Sequence, residues 1–121
     1  MKAIHTDKAP KAVGPYSQAI LANNTLFCSG QIGINPSEGN LVEGFENQCE
    51  QVMKNISEVL EEAGFSFDNV VKTTCFLSDM ETFSKFNQIY EKYFVSKPAR
   101  SCVEAKLPKG AMVEVEVIAV K

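Results

Sequence analysis

The chain has no tryptophan and a single histidine, His5, close to its start. One imidazole excludes a His-rich metal cluster and leaves a serine or cysteine triad hard to assemble. Any enzymatic activity must therefore run without the usual imidazole. The four cysteines, Cys28, Cys49, Cys75 and Cys102, are widely separated and form no CxxC pair, so neither a zinc site nor a dithiol redox motif is signalled and disulfides are not expected. No apolar run approaches the roughly 18 residues of a membrane helix, and the start, MKAIHTDKAPK, lacks the apolar stretch of a secretion signal. The expectation is a soluble, cytoplasmic protein. Basic clusters are missing too: the net charge is −3 and the lysines are scattered, which offers no footprint for a phosphate backbone and makes nucleic acid an unlooked-for partner.

What is present reads as one ordinary globular domain. A chain of 121 residues supports one hydrophobic core, and hydrophobic residues at 45% with charged residues at 22% are typical values, so residues 1–121 are taken as a single domain. Tyr16–Ala22 and Leu26–Ile32 are apolar-rich runs joined through Asn23 and Asn24, residues that tolerate the left-handed backbone of a hairpin turn. After a loop marked by Asn35, Pro36, Gly39 and Asn40, apolar residues recur at helical spacing from Phe45 to Ala63, with Glu46, Glu50, Lys54, Glu58 and Glu61 opposite and Gly64 as the stop. Val70–Leu77 reads as a buried strand. Ser78 and Glu81 match a capping box ahead of a second helix, whose inward face carries Phe83, Phe86, Tyr90, Tyr93 and Phe94 and which Pro98 closes. Arg100–Ala105 and Val113–Val120 follow as strands around a turn at Pro108 and Gly110.

The order ββαβαββ implies an α+β fold, a mixed β-sheet with two helices packed on one face. The other face is left uncovered. In the last strand Val113, Val115, Val117 and Ala119 suit the core, while Glu114, Glu116, Ile118 and Val120 form a second face that is acidic at one end and apolar at the other. Two readings fit that face: a subunit interface with a polar cleft at its edge, or simple solvent exposure of the glutamates.

Several residues are out of place in a purely structural protein. Arg100 opens a strand that reads as central, with no acidic residue within three positions; it is either a surface arginine or a planar fork for a small carboxylate. Asn87 shares a helical stripe with Phe83, Tyr90 and Phe94, where an amide needs partners. It ties down a neighbouring loop or meets a ligand. Cys102 follows Arg100 on the same face and, without a histidine partner, reads as packing rather than as a nucleophile. Tyr16 after Gly14 and Pro15, and Ser29 with Gly30 in CSGQ, are turn and hairpin residues or part of a site.

The segments GPYSQAI, FCSGQIG, VVKTTCFLSDM, FNQIYEKYF and PARSCVEAKLPKGAMVEVEVIA closely resemble the reactive intermediate deaminase family, in particular its RidA subgroup, over nearly the whole chain. The last segment is the most specific, since it holds the arginine, the cysteine and the glutamate pair at family spacing. A shorter loop before Pro98 is the chief departure, and it bears on the rim of the site. The resemblance implies a chorismate-mutase-like α+β domain assembled as a homotrimer, with a central barrel of sheets, helices outside and sites in the clefts between subunits. It also implies hydrolysis of enamines and imines, such as 2-aminoacrylate and 2-iminobutanoate from pyridoxal-phosphate-dependent dehydratases, to 2-oxo acids and ammonia, with no cofactor or metal. By the same resemblance Arg100 binds the substrate carboxylate, Cys102 contributes backbone groups, Glu114 orients the attacking water, and Tyr16, Ser29, Gly30 and Asn87 line the pocket. A non-catalytic carboxylate-binding regulator or chaperone-like module of the same fold is the alternative; it needs Arg100 and has no use for Glu114. The acidic charge balance argues against a ribonuclease.

Overall fold

Strict alternation of Val113, Val115, Val117 and Ala119 with larger or charged residues makes the last strand the natural centre of a sheet covered on one side. The computed structural model describes residues 1–121 and bears this out. Its elements are β1 (Lys2–Ile4), β2 (Ala19–Ala22), β3 (Thr25–Cys28), β4 (Gln31–Ile32), β5 (Ile34–Asn35), β6 (Asn40–Leu41), α1 (Phe45–Glu62), β7 (Val70–Leu77), α2 (Phe83–Tyr93), β8 (Ala99–Glu104) and β9 (Val113–Val120). The main sheet runs β1-β2-β3-β9-β7-β8, with β4 joining β9 beyond the end of β3, while β5 and β6 form a separate hairpin. Only β7 and β8 are parallel, because α2 carries the chain back between them. The four inward residues of β9 are buried, and both helices lie on that side.

Helix α1 forms where the spacing predicts it. Its buried stripe includes Phe45, Cys49, Val52, Met53, Ile56 and Leu60. Its end is a Schellman closure: Gly64 N–H donates to Glu61 O at 3.0 Å and Phe65 N–H to Leu60 O at 2.9 Å, with Gly64 at a φ of 81° that costs glycine little. The same buried face carries an amide, Asn55, which donates to Ile32 O at 3.2 Å and Ile34 O at 2.9 Å. Those two carbonyls flank the point where the chain passes from β4 to β5, so Asn55 ties the buried face of α1 to that turn.

Some boundaries differ from the sequence reading. The first hairpin is real, with Asn23 at a φ of 54°, but its strands are shorter than the apolar runs, because the chain breaks at Ser29 and Gly30 before resuming as β4. Strands β1, β5 and β6 are too short to show a period of their own. The capping box at Ser78 and Glu81 does not form. Instead the Asp79 carboxylate accepts from Glu81 N–H at 2.9 Å and a short 3₁₀ turn, Met80–Thr82, leads into α2. The helix ends at Tyr93, ahead of Pro98. The strand of Arg100 is not central: the parallel crossover leaves β8 at the sheet's edge, paired with β7 alone.

The face away from the helices is apolar over much of its width. Phe27 on β3 pairs in register with Ile118 on β9, and Phe27 and Val103 remain 48% exposed. No segment of the chain covers it.

Candidate functional site

On β9, Glu114 points to the uncovered face, opposite the valines on either side of it. Its register partners are Ile32 on β4 and Phe76 on β7, so its flanks are hydrocarbon. Burial pushes its carboxyl above the ordinary carboxylate range, and the charge of Glu116, two residues along on the same face, pushes the same way. Where the chain breaks between β3 and β4, Gly30 passes directly under this carboxylate. Ser29 beside it donates its hydroxyl to Ser17 O at 2.6 Å, and its N–H bonds Gln18 O at 2.9 Å. The buried Gln18 amide in turn straps the N-terminal arm, accepting from Thr6 N–H at 2.7 Å and donating to Pro10 O at 2.8 Å. These bonds hold Tyr16, which is 53% exposed, at the mouth of a cleft of about 400 Å³ that Ser29, Gly30, Ile32, Lys109 and Glu114 also line.

Arg100 sits elsewhere. On β8 it pairs in register with the buried Thr73, which puts it on the helix side of the sheet. Its guanidinium carbon lies 4.8 Å from the centre of the Tyr90 ring and 5.4 Å from that of Phe83. One Nη donates to Asn87 Oδ1 at 2.8 Å. The Lys92–Glu50 ion pair and the His5–Asp7 hydrogen bond leave Arg100 out. An arginine stacked on aromatic faces, bonded to one amide and short of a carboxylate has most of its five N–H donors free. Around it Asn87, Tyr90, Glu91, Phe94, Lys97 and Pro98 line a shallow cleft of about 340 Å³, in which the Glu91 carboxylate forms no ion pair with the guanidinium. Asn87 thus meets neither a loop nor a core partner, but the arginine.

Cys102 pairs in register with Cys75 and packs against the core. Burial disfavours the thiolate and pushes the Cys102 pKa up, while the Arg100 charge pulls the other way more weakly. No three His, Cys, Asp or Glu side chains converge closely enough to hold a metal ion.

The residues singled out from the sequence therefore fall into two groups. Tyr16, Ser29, Gly30 and Glu114 share the larger cleft; Asn87 and Arg100 share the smaller, with Cys102 two residues along β8. The register of the sheet sets the groups apart, since Arg100 aligns with Thr73 on the helix side and Glu114 with Phe76 on the bare side. Neither of these clefts contains both. Sequence reasoning assigned Tyr90 to the core and passed over Thr73. The signal available was a threonine at an inward position of a strand whose other inward residues are apolar.

Comparison with known proteins agrees with this architecture. The family model described as endoribonuclease L-PSP matches residues 6–121. A RutC family protein of Aquifex aeolicus is 53% identical over 125 residues, covering 100% of both chains. The human 2-iminobutanoate/2-iminopropanoate deaminase is 48% identical over 123 residues, covering 99% of this chain and 90% of that protein. Among solved structures, RidA from the Antarctic bacterium Psychrobacter superposes with a TM-score of 0.97 at 43% identity, covering 100% of both chains.

Proposed function

Because the chain belongs to the endoribonuclease L-PSP family, the family of RidA, we propose that it hydrolyses 2-imino acids and their enamine tautomers to 2-oxo acids and ammonia, without a cofactor. The observation that carries this reading is the presence of two incomplete clefts on one chain: one offers a guanidinium with free donors, the other a half-buried carboxylate of raised pKa. A carboxylate-bearing electrophile needs both.

The two halves meet when chains assemble. Three copies packed through their bare sheet faces would cover Phe27, Ile118 and Val103 and set the Arg100 cleft of one subunit against the Glu114 cleft of the next. Apolar area of this kind is what drives obligate association.

In the assembled cleft Arg100 takes the substrate carboxylate bidentately, with Asn87 fixing the guanidinium, while Tyr16, Ser29 and Gly30 form the opposing wall. Backbone groups of Cys102 contact the substrate and its sulfur takes no part. The protonated imine carbon is already electrophilic, so positioning one water supplies much of the catalysis. Glu114 accepts a proton from that water as its oxygen bonds to carbon, giving the neutral carbinolamine. The proton then passes to the amine nitrogen; the C–N bond breaks, the carbonyl forms as the hydroxyl proton leaves, and ammonia departs. A carboxyl whose pKa lies above the usual range suits both halves of this exchange.

A carboxylate-binding regulator of the same fold is the second reading, favoured by the fact that Arg100 and Asn87 form their contact without help from Glu114. The ribonuclease implied by the family description finds no support in a chain of net charge −3. The deciding experiment generates 2-iminobutanoate or 2-aminoacrylate in situ with a dehydratase and follows 2-oxo acid formation. Acceleration by catalytic amounts of the protein is expected; an unchanged rate leaves only the binding role.

A further inference from the structure

Thr73 is fully buried on β7, among inward neighbours Val70, Cys75 and Leu77 that carry no oxygen. Its hydroxyl bonds that of Tyr90 at 2.8 Å and accepts a weaker contact from the Cys75 thiol at 3.8 Å, and the Tyr90 bond is the one strong enough to explain a polar side chain there. Tyr90 also stacks on Phe94, ring centres 4.4 Å apart at 30°, and presents its ring 4.8 Å from the Arg100 guanidinium carbon. Thr73 is at the same time the register partner of Arg100. The backbone that starts the arginine and the hydroxyl that anchors its aromatic ledge are therefore referenced to one residue of the sheet.

A ring in contact with a guanidinium favours particular orientations of its plane, and the plane of the fork decides where a bidentate carboxylate sits. Asn87 fixes a single Nη and leaves rotation about that bond. We infer that Thr73 and Tyr90 are a positioning pair: their hydroxyl bond locks the Tyr90 ring, and the locked ring holds the Arg100 guanidinium in the plane that receives the substrate carboxylate. Neither residue touches the reacting atoms. The inference rests on the imine-hydrolase reading for its substrate, and on Arg100 alone for its carboxylate.

The test uses the full chain with Thr73→Val, Tyr90→Phe and the double substitution. Each single change breaks the hydroxyl pair and should lower the melting temperature, whereas the double change removes both hydroxyls, leaves only the weakly donating Cys75 thiol unmatched, and should restore most of it. A structural role would let function return with stability. A positioning role predicts otherwise: 2-oxobutanoate, titrated calorimetrically as a stable carboxylate probe, binds about fivefold more weakly to all three variants, the double included. With 2-iminobutanoate, KM should rise by a similar factor at unchanged kcat. Recovery of probe affinity in the double variant, or parental affinity in either single variant, overturns the inference. If the parent binds 2-oxobutanoate but does not turn over the imine, the hydrolase reading falls and the binding comparison still decides the positioning role. Failure of the parent to bind the probe at all overturns the inference as well.

Discussion

Gly30 and Glu114 are in such close contact that a β-carbon added at position 30 would stand 2.1 Å from Glu114 Oε2. The atom in the way is the tip of a flexible side chain, so Gly30→Ala should move the carboxylate rather than break the sheet. The expected result is a melting temperature near that of the parent, since a relieved contact of this kind costs within about 1 kcal/mol. Imine hydrolysis should fall by about a hundredfold, the lower range for a misplaced general base. Parental turnover in this variant would remove Glu114 from the chemistry.

Titration of Glu114 separates its catalytic cost from its structural one. Its folded carboxyl pKa is raised by burial first and by Glu116 second. The base form is lost as pH falls through that raised value, so the acid limb of kcat/KM should lie above the ordinary carboxylate range and vanish in Glu114→Gln along with most of the activity. For stability the sign is opposite. Between the unfolded and folded pKa values the folded chain holds more protons, so the Glu114 contribution is fully present below the unfolded value and is lost as pH rises through the folded one. Thermal melts across that window should show the parent losing stability with rising pH relative to Glu114→Gln. A parallel pH dependence in the two proteins would contradict it.

Arg100→Ala should abolish hydrolysis and spare the fold, because the guanidinium lies at an open sheet edge against aromatic faces and one amide. Arg100→Lys keeps the charge but has no planar fork. Losing a desolvated charge partner costs about 2 to 5 kcal/mol, tens to thousands of fold in transition-state stabilisation. Lysine is therefore expected to recover little. Steady-state turnover beside melting temperature checks both variants, and near-parental activity in the alanine form would end the role.

Cys102→Ala should retain most activity, since the thiol is held in its neutral form and only backbone groups are assigned to the substrate. Turnover of the purified variant decides this, with a loss of tenfold or more, on the order of a catalytic nucleophile's contribution, as the contrary result.

Two inactive chains should make an active one. If each site draws Arg100 from one subunit and Glu114 from another, coexpressed Arg100→Ala and Glu114→Gln chains restore intact clefts. Random assembly leaves about a quarter of clefts complete. The mixture should show activity of that order while each parent variant shows almost none, and light scattering should give three times the 13.3 kDa chain mass. Absence of complementation in proven mixed oligomers would mean that the two residues do not share a site.

How much of this was legible beforehand depends on the range over which each feature is encoded. Helix α1 and strand β9 were readable because burial repeats along them with the period of the backbone itself, Phe45 to Leu60 at helical spacing and Val113 to Ala119 at every second residue, and strand β7 because its residues are β-branched and aromatic. The chemistry-bearing residues stood out for the opposite reason, as polar groups such as Arg100, Asn87 and Glu114 set among apolar ones. Their grouping was not legible. Whether Arg100 lies in the centre of the sheet or at its edge depends on a parallel crossover through α2, and its separation from Glu114 on a register in which Thr73 faces the helices and Phe76 does not. The contacts of Gly30 with Glu114 and of Thr73 with Tyr90 join residues far apart in the chain. Local periodicity reports which way a side chain points from its own strand; which strand lies beside it is decided only when the sheet closes, because that pairing is a long-range contact with no period in the sequence.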